Sequence, residues 1–225
     1  MGFAPQIHRI LREIPKDRQT MLFSATMPDQ IMRIASQHMK LPTHVEIAKS
    51  GTVAEKITQE VFIVKKESKK ELLKKILTQY HGTVLIFSRT KIGAYKITRA
   101  IREMGHKVAE IHADRTLGQR REALDGFKSG RYRILVATDI AARGIDVKGI
   151  ELVINYDLPD ESENYVHRIG RTGRIGDKGH AISFATPEQG KEVKNIEKLM
   201  RMALPISEHP EMQLESFIEH KPVKV

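Results

Sequence analysis

Between Asn164 and Gly176 the chain reads NYVHRIGRTGRIG, with Arg168, Arg171 and Arg174 recurring every third residue beside His167 and no acidic side chain in the stretch. A guanidinium is permanently charged and presents a planar fork of donors that matches phosphate oxygens. Gly170 and Gly173 interrupt the run, and glycine weakens a helix by about 1 kcal/mol relative to alanine. The spacing therefore predicts a helix end running into a loop, where clustered arginines form a phosphate clamp. A second stretch, ATDIAARGID from Ala137 to Asp146, offers the Thr138 hydroxyl, the Asp139 and Asp146 carboxylates and the Arg143-Gly144 pair. Taken alone, it reads equally well as a strand-to-helix turn capped by Thr138 and Asp139.

Composition limits what such groups could do. The 225 residues contain no cysteine, which excludes disulfides, thiolate metal sites and thiol catalysis and leaves chemistry to oxygen and nitrogen groups. Lys and Arg outnumber Asp and Glu by 38 to 28, a formal charge of +10 that suits a polyanionic partner. No apolar run approaches the roughly 18 to 20 residues of a membrane span, and MGFAPQIHRIL lacks the parts of a signal peptide. The expectation is a soluble, cytoplasmic protein without a membrane partner.

The elements that must position these residues alternate. Strands are expected at 20–24, 44–48, 60–64, 83–87, 107–111, 133–137, 151–155 and 180–185, several of them apolar on consecutive positions, as in parallel strands covered on both faces. Between them run helical periods such as SKKELLKKILTQY, with Ser68 as N-cap and Leu72, Leu73, Ile76 and Leu77 on one face. The lysines from Lys65 to Lys75 read as a solvated helix face. Strand and helix in alternation imply an α/β sheet whose ligands gather at the carboxyl ends of the strands. The polar segment AKSGTVAEKIT, from Ala48 to Thr58, marks a boundary, and the residues after Pro205 read as a loosely attached end.

Four motifs in order, FSATMP (Phe23–Pro28), LIFSRTK (Leu85–Lys91), ATDIAARGID and YVHRIGRTGRIG, resemble motifs III, IV, V and VI of DEAD-box RNA helicases. The resemblance implies a RecA-like parallel sheet flanked by helices, preceded by a fragment of a second RecA-like domain. It divides the chain into 1–47 as the remnant of an ATP-binding domain, 48–58 as linker, 59–204 as the C-terminal RecA-like domain and 205–225 as tail. No G-x-x-x-x-G-K-[ST] loop and no D-E-A-D pair occurs in the chain. By resemblance, then, it is the back half of an ATP-dependent RNA helicase; the other reading is a non-catalytic RNA-binding module.

Residue roles also follow from the resemblance. Arg171 and Arg174 would reach the ATP γ-phosphate, with His167 tying their motif to the first domain and Gly144 and Asp146 near the ATP ribose. Thr138, Arg120, Arg115 and Thr90 would contact RNA. Ser24, Thr26 and Arg143 would couple the domains, while Arg168 is expected in a structural ion pair. ATP with Mg²⁺ is implied for the complete protein, with neither bound tightly by this chain alone. The implied partners are RNA, held largely without regard to sequence, and a first RecA-like domain. One segment departs from the family pattern. In IHADRTLGQRR, Ala113 replaces a glycine and Leu117 stands where a glutamine is usual, while Gln119, two positions on, would point elsewhere on a helix.

Overall fold

The computed structural model describes residues 3–24, 27, 29–45, 57–142, 147, 149–173, 178–212 and 215–218. They divide into two compact units, Met1–Ser50 and Gly51–Val225.

The first unit holds two helices, α1 (Ala4–Glu13) and α2 (Asp29–His38). A proline in the first turn of α1 forfeits only an amide that has no intrahelical partner there. His38 Nε2 and His8 Nδ1 meet at 3.3 Å between the helices. The strand expected at 20–24 does not form, and Met21 and Phe23 lie exposed in a segment without regular structure. A parallel strand exists only through its ladder with neighbours, and none is formed in this unit among the described residues. His44 and Val45 are not in a strand either, and the rest of that run lies outside the described residues.

The second unit is a sheet of six parallel strands: β1 (Ile57–Ile63), β2 (Val84–Phe87), β3 (Val108–Ile111), β4 (Ile134–Ala137), β5 (Leu152–Asn155) and β6 (Gly179–Ala185). Their order is β1-β6-β5-β2-β4-β3. Alternate side chains supply two cores, as a period of two requires. Val84, Ile86, Ile134 and Val136 pack with Leu72, Leu73, Ile76 and Leu77 of α3 (Lys69–Gln79) and with Ile97 and Ile101 of α4 (Lys91–Glu103). Leu85, Phe87, Leu135 and Val153 pack with Phe127 of α5 (Leu117–Lys128), Tyr165 and Ile169 of α7 (Ser162–Ile169), and Val193 and Ile196 of α8 (Gly190–Met200). The four-residue helix α6 (Asp139–Ala142) follows β4 directly. Because the chain passes from β4 to β5 over the far side of β2, the carboxyl ends of these central strands form the crevice such sheets reserve for ligands.

One local expectation holds in part and two are corrected. Ser68 stands at the N-cap of α3 without a side-chain cap bond, because a 3₁₀ turn over Lys66–Ser68 already leads into the helix. Lys69 breaks the solvated lysine face, being only 3% exposed. The described part of the tail, 205–212 and 215–218, is not loose. Pro205 O accepts from Val61 N at 2.8 Å, Ser207 N donates to Val61 O at 2.9 Å and Glu215 N to Ile63 O at 2.9 Å, while Phe217 packs against the α8-side core. β1 is an edge strand, and these bonds satisfy backbone groups an edge would otherwise leave open.

Candidate RNA and nucleotide interface

The site is assembled from turns beyond the carboxyl ends of the strands. After β2, Ser88 is buried and its hydroxyl donates to Asp157 Oδ2 at 3.2 Å, an oxygen that also accepts from Arg89 N at 3.2 Å. The Arg89 guanidinium donates to Leu158 O at 3.1 Å and pairs with Asp160 at 3.2 Å. Exposed Thr90 caps α4 by accepting from Gly93 N at 2.9 Å. A side chain at Gly93 would place its Cβ 2.4 Å from Ser88 Oγ, so the turn closes only around glycine. Lys91 pairs with Asp114 at 2.9 Å.

After β3, Thr116 and Gln119 form a reciprocal capping box at the start of α5, with bonds of 3.3 and 3.0 Å. Gln119 is thereby engaged in the cap, which explains why it cannot stand in for the glutamine missing at 117. Leu117 is 63% exposed, and Arg120 is half-buried one turn along the same helix. Arg115 pairs with the buried carboxylate of Glu110. After β4, half-buried Thr138 donates its backbone N–H to Ile111 O at 3.2 Å and its carbonyl accepts from Ala142 N at 2.9 Å. Its hydroxyl has no hydrogen-bond partner among the described residues.

Arg168, 1% exposed, ties these turns together. Its Nε and Nη2 donate to the two oxygens of Asp139 at 2.6 and 2.7 Å, and its Nη1 to Asn155 Oδ1 at 3.1 Å and Asp157 O at 2.6 Å. The guanidinium also lies 5.0 Å from the centre of the Phe87 ring. Asn155 passes the network on to Ser183 Oγ at 3.1 Å. From α3, Lys69 Nζ reaches Asp157 Oδ1 at 3.2 Å and Tyr156 O at 2.7 Å. Burial lowers the Lys69 pKa against the opposing pull of Asp157. Burial also pushes the phenols of Tyr156 and Tyr165 up to about 12. The Tyr165 hydroxyl donates to Gln59 Oε1 at 3.1 Å, fixing α7 against β1.

The expected helix end is present: α7 stops at Ile169 with Gly170 as its C-cap, and Arg171 N donates to Arg168 O at 3.1 Å. Arg168, the expected structural ion pair, thus anchors the turn that carries Arg171. His167 and Arg171 are half-buried there. Gly173 has φ +66, and a Cβ on it would sit 2.6 Å from Ile57 Cγ1, so the loop crosses β1 at a distance only glycine allows. Thr90, Arg115, Arg120 and Thr138 lie beyond adjacent strands β2, β3 and β4. Ser24 is exposed in the irregular segment between α1 and α2. Thr26, Arg143, Gly144, Asp146 and Arg174 lie outside the described residues. Asn155, Asp157 and Lys69 were not expected; the signal was available in INYDLP, where an asparagine ends an otherwise apolar run. Among the described residues, no group of three or more His, Asp or Glu could hold a metal ion, and no helix is long and apolar enough to cross a membrane.

A six-stranded parallel sheet in this order, with polar loops at its carboxyl edge, defines a RecA-like domain. A family model for the helicase conserved C-terminal domain matches residues 68–176. The ATP-dependent RNA helicase DbpA of Bacillus subtilis is 42% identical over 214 residues, covering 95% of this chain and 45% of that protein. CshA of Bacillus cereus, a DEAD-box ATP-dependent RNA helicase, is 42% identical over 199 residues, covering 88% and 38%. Among solved structures, the DEAD-box protein SrmB of E. coli, bound to regulator of ribonuclease activity A, is 30% identical with a TM-score of 0.66, covering 72% of this chain and 99% of that one. Dbp5 of S. cerevisiae, bound to RNA and ADP BeF3, is 32% identical with a TM-score of 0.84, covering 92% and 56%. This chain belongs to the DEAD-box helicase family and carries its C-terminal RecA-like domain. It spans less than half the length of the curated relatives it matches.

Proposed function

We propose that this chain supplies the C-terminal half of an ATP-dependent RNA helicase in the cytoplasm, acting with a first RecA-like domain that carries the phosphate loop and the D-E-A-D carboxylates. The observation that supports the reading is the Arg168 network, which joins the turns after β2, β4 and β5 to the turn bearing Arg171. Groups for RNA and groups for nucleotide are thereby mounted on one rigid edge. Thr138, Thr90 and Arg120 hold the sugar-phosphate backbone of one RNA strand, contacts that carry no sequence information. Arg171 and Arg174 face the γ-phosphate across the cleft, Gly144 and Asp146 lie near the ribose, and His167, Ser24, Thr26 and Arg143 couple the two domains. Mg²⁺ bound with ATP supplies charge neutralisation at the phosphates, from ligands on the first domain. Residues 1–47 belong to that first domain, 48–58 link the two, and 59–204 form the second.

The reading is tested by phosphate release. The 225-residue chain hydrolyses no ATP above background, with or without RNA. The same chain joined to a first domain containing G-K-[ST] and D-E-A-D turns over ATP in an RNA-stimulated manner. RNA-stimulated hydrolysis by the 225 residues alone, or an inert two-domain protein, overturns it.

A further inference from the structure

On the face of β3 that α4 covers, two consecutive inward positions are ionisable. Glu110 is 7% exposed and His112 is 5% exposed. Glu110 lies in register with Val136 of β4, so the sheet offers its carboxylate no polar partner on that side. One oxygen pairs with Arg115, the residue that precedes the N-cap of α5. The other has no hydrogen bond among the described residues, nor has either nitrogen of His112, although the imidazole Nε2 lies 3.5 Å from it. The α4 hydroxyl of Thr98 is likewise buried without a partner. Asp114, the next carboxylate along, is already paired with Lys91 of α4 at 2.9 Å. Arg115 therefore has one anion to serve, and it is the permanent cation beside Glu110, with the His112 imidazole the other group that faces the carboxylate.

A buried carboxylate stripped of its permanently charged partner is strongly destabilising. For Arg115 to leave for an RNA phosphate, Glu110 would have to stand uncompensated in the core of the edge strand. We infer that Glu110 withholds Arg115 from RNA, so that Glu110 is an affinity-limiting residue of this interface. The inference rests on the proposal that the carboxyl edge of β2, β4 and β3 binds RNA. Arg115 is 32% exposed and stands five residues before Arg120. The position suits phosphate contact, and the pairing with Glu110 is what keeps it from making one. This edge then grips RNA through Arg120 and Thr138, with Leu117 adding no donor.

The test compares binding of a fluorescent oligouridylate across salt concentrations by the full chain and by Glu110→Gln, Arg120→Ala and Glu110→Gln/Arg115→Ala. Glutamine keeps the size and leaves a neutral polar group beside His112 but removes the charge that holds Arg115. Glu110→Gln is expected to bind about tenfold more tightly, the gain from one charge-assisted hydrogen bond. Its log–log salt dependence should steepen by about 0.7, one extra phosphate on a single strand. In the double variant both gains disappear. A gain that persists without Arg115 comes from the lost negative charge alone and overturns the inference. No gain in Glu110→Gln while Arg120→Ala still weakens binding overturns it too, leaving the RNA reading of the edge intact. Absent binding by wild type and Glu110→Gln alike overturns both. Thermal melting adds an arm that needs no RNA. Arg115→Ala lowers Tm by stranding Glu110 and the double variant restores it; failure to restore shows that Glu110 does not hold Arg115.

Discussion

At the scale of single residues, the arginines that recur through HRIGRTGR are not equivalent: Arg168 is buried and Arg171 half-buried. Arg168 has its whole fork committed to Asp139, Asn155 and the Asp157 carbonyl, so it is unavailable to a phosphate. Arg168→Ala should cost about 3–5 kcal/mol of stability by leaving the Asp139 carboxylate and its neighbours uncompensated. Under the proposed function the nucleotide role belongs to Arg171 and Arg174. In a protein joined to a first domain, Arg171→Ala or Arg174→Ala should lower RNA-stimulated ATP turnover by about 10³ to 10⁵, as for other arginine fingers. RNA affinity without nucleotide should hold. Lysine should restore little, since a point charge lacks the bidentate fork. Steady-state ATPase beside RNA titration decides the matter: an RNA affinity that falls while turnover at saturating RNA survives would make these arginines RNA ligands. The motif spacing made the cluster visible in the sequence, and the family resemblance marked Arg168 as the structural ion pair, but neither revealed the partners that hold it. Those include Asn155 and Asp157, which lie 13 and 11 residues from Arg168 in the chain and meet it only through the fold.

At the scale of elements, legibility followed burial. The central strands are apolar on consecutive positions and buried on both faces, so 84–87, 134–137 and 152–155 could be read to within a residue, as could the edge strand 108–111, whose Glu110 is buried as well. Thr20 to Ser24 has the same composition and forms no strand, because composition proposes a strand and neighbours decide it. The tail was misread for the converse reason. Its order comes from backbone bonds to β1, which no side-chain period announces. Removing residues 205–225 should therefore cost about 2–4 kcal/mol, from lost backbone bonds and the apolar contact of Phe217. It should also promote association through the opened edge, measurable as a lower Tm with concentration-dependent light scattering. The same edge responds to acid. Glu60 accepts from His180 at 2.8 Å, and that bond, with a further one to tail residue Ser207, holds its carboxyl below 4.5 despite partial burial. A carboxylate depressed in the folded state adds stability that is full above its unfolded value of about 4.3 and lost as pH falls through the folded one. His180→Gln should flatten the acid limb of the stability profile below about pH 4.5; an unchanged limb would show the bond to be silent.

At the scale of the whole molecule, the fold organises charge more than it hides it. The excess of basic residues, +10 in all, was visible at once and could not be localised from the sequence. Many of the basic groups have partners that screen them. Lys65 pairs with Glu215, Lys75 with Glu211, Arg131 with Glu122, Lys91 with Asp114 and Arg115 with Glu110. The first four of these pairs are exposed or partly exposed and add about 0–1 kcal/mol each to stability, whereas the Glu110 carboxylate is buried; all five lower the number of cations an incoming phosphate can use. If Glu110 holds Arg115 and Leu117 donates nothing, Arg120, Thr138 and the neighbouring backbone carry the grip, and about three or four phosphates are neutralised on a single strand. The isolated chain should then bind single-stranded RNA weakly, with log K falling against log salt at a slope of about −2 to −3. Oligomers of different sequence should differ little, because the groups assigned to RNA address phosphate and sugar. Fluorescence anisotropy across salt concentrations with two unrelated sequences checks both statements. A slope near zero would mean that net charge does not drive association, and a marked preference between the sequences would place base-reading groups on this edge instead of a backbone clamp.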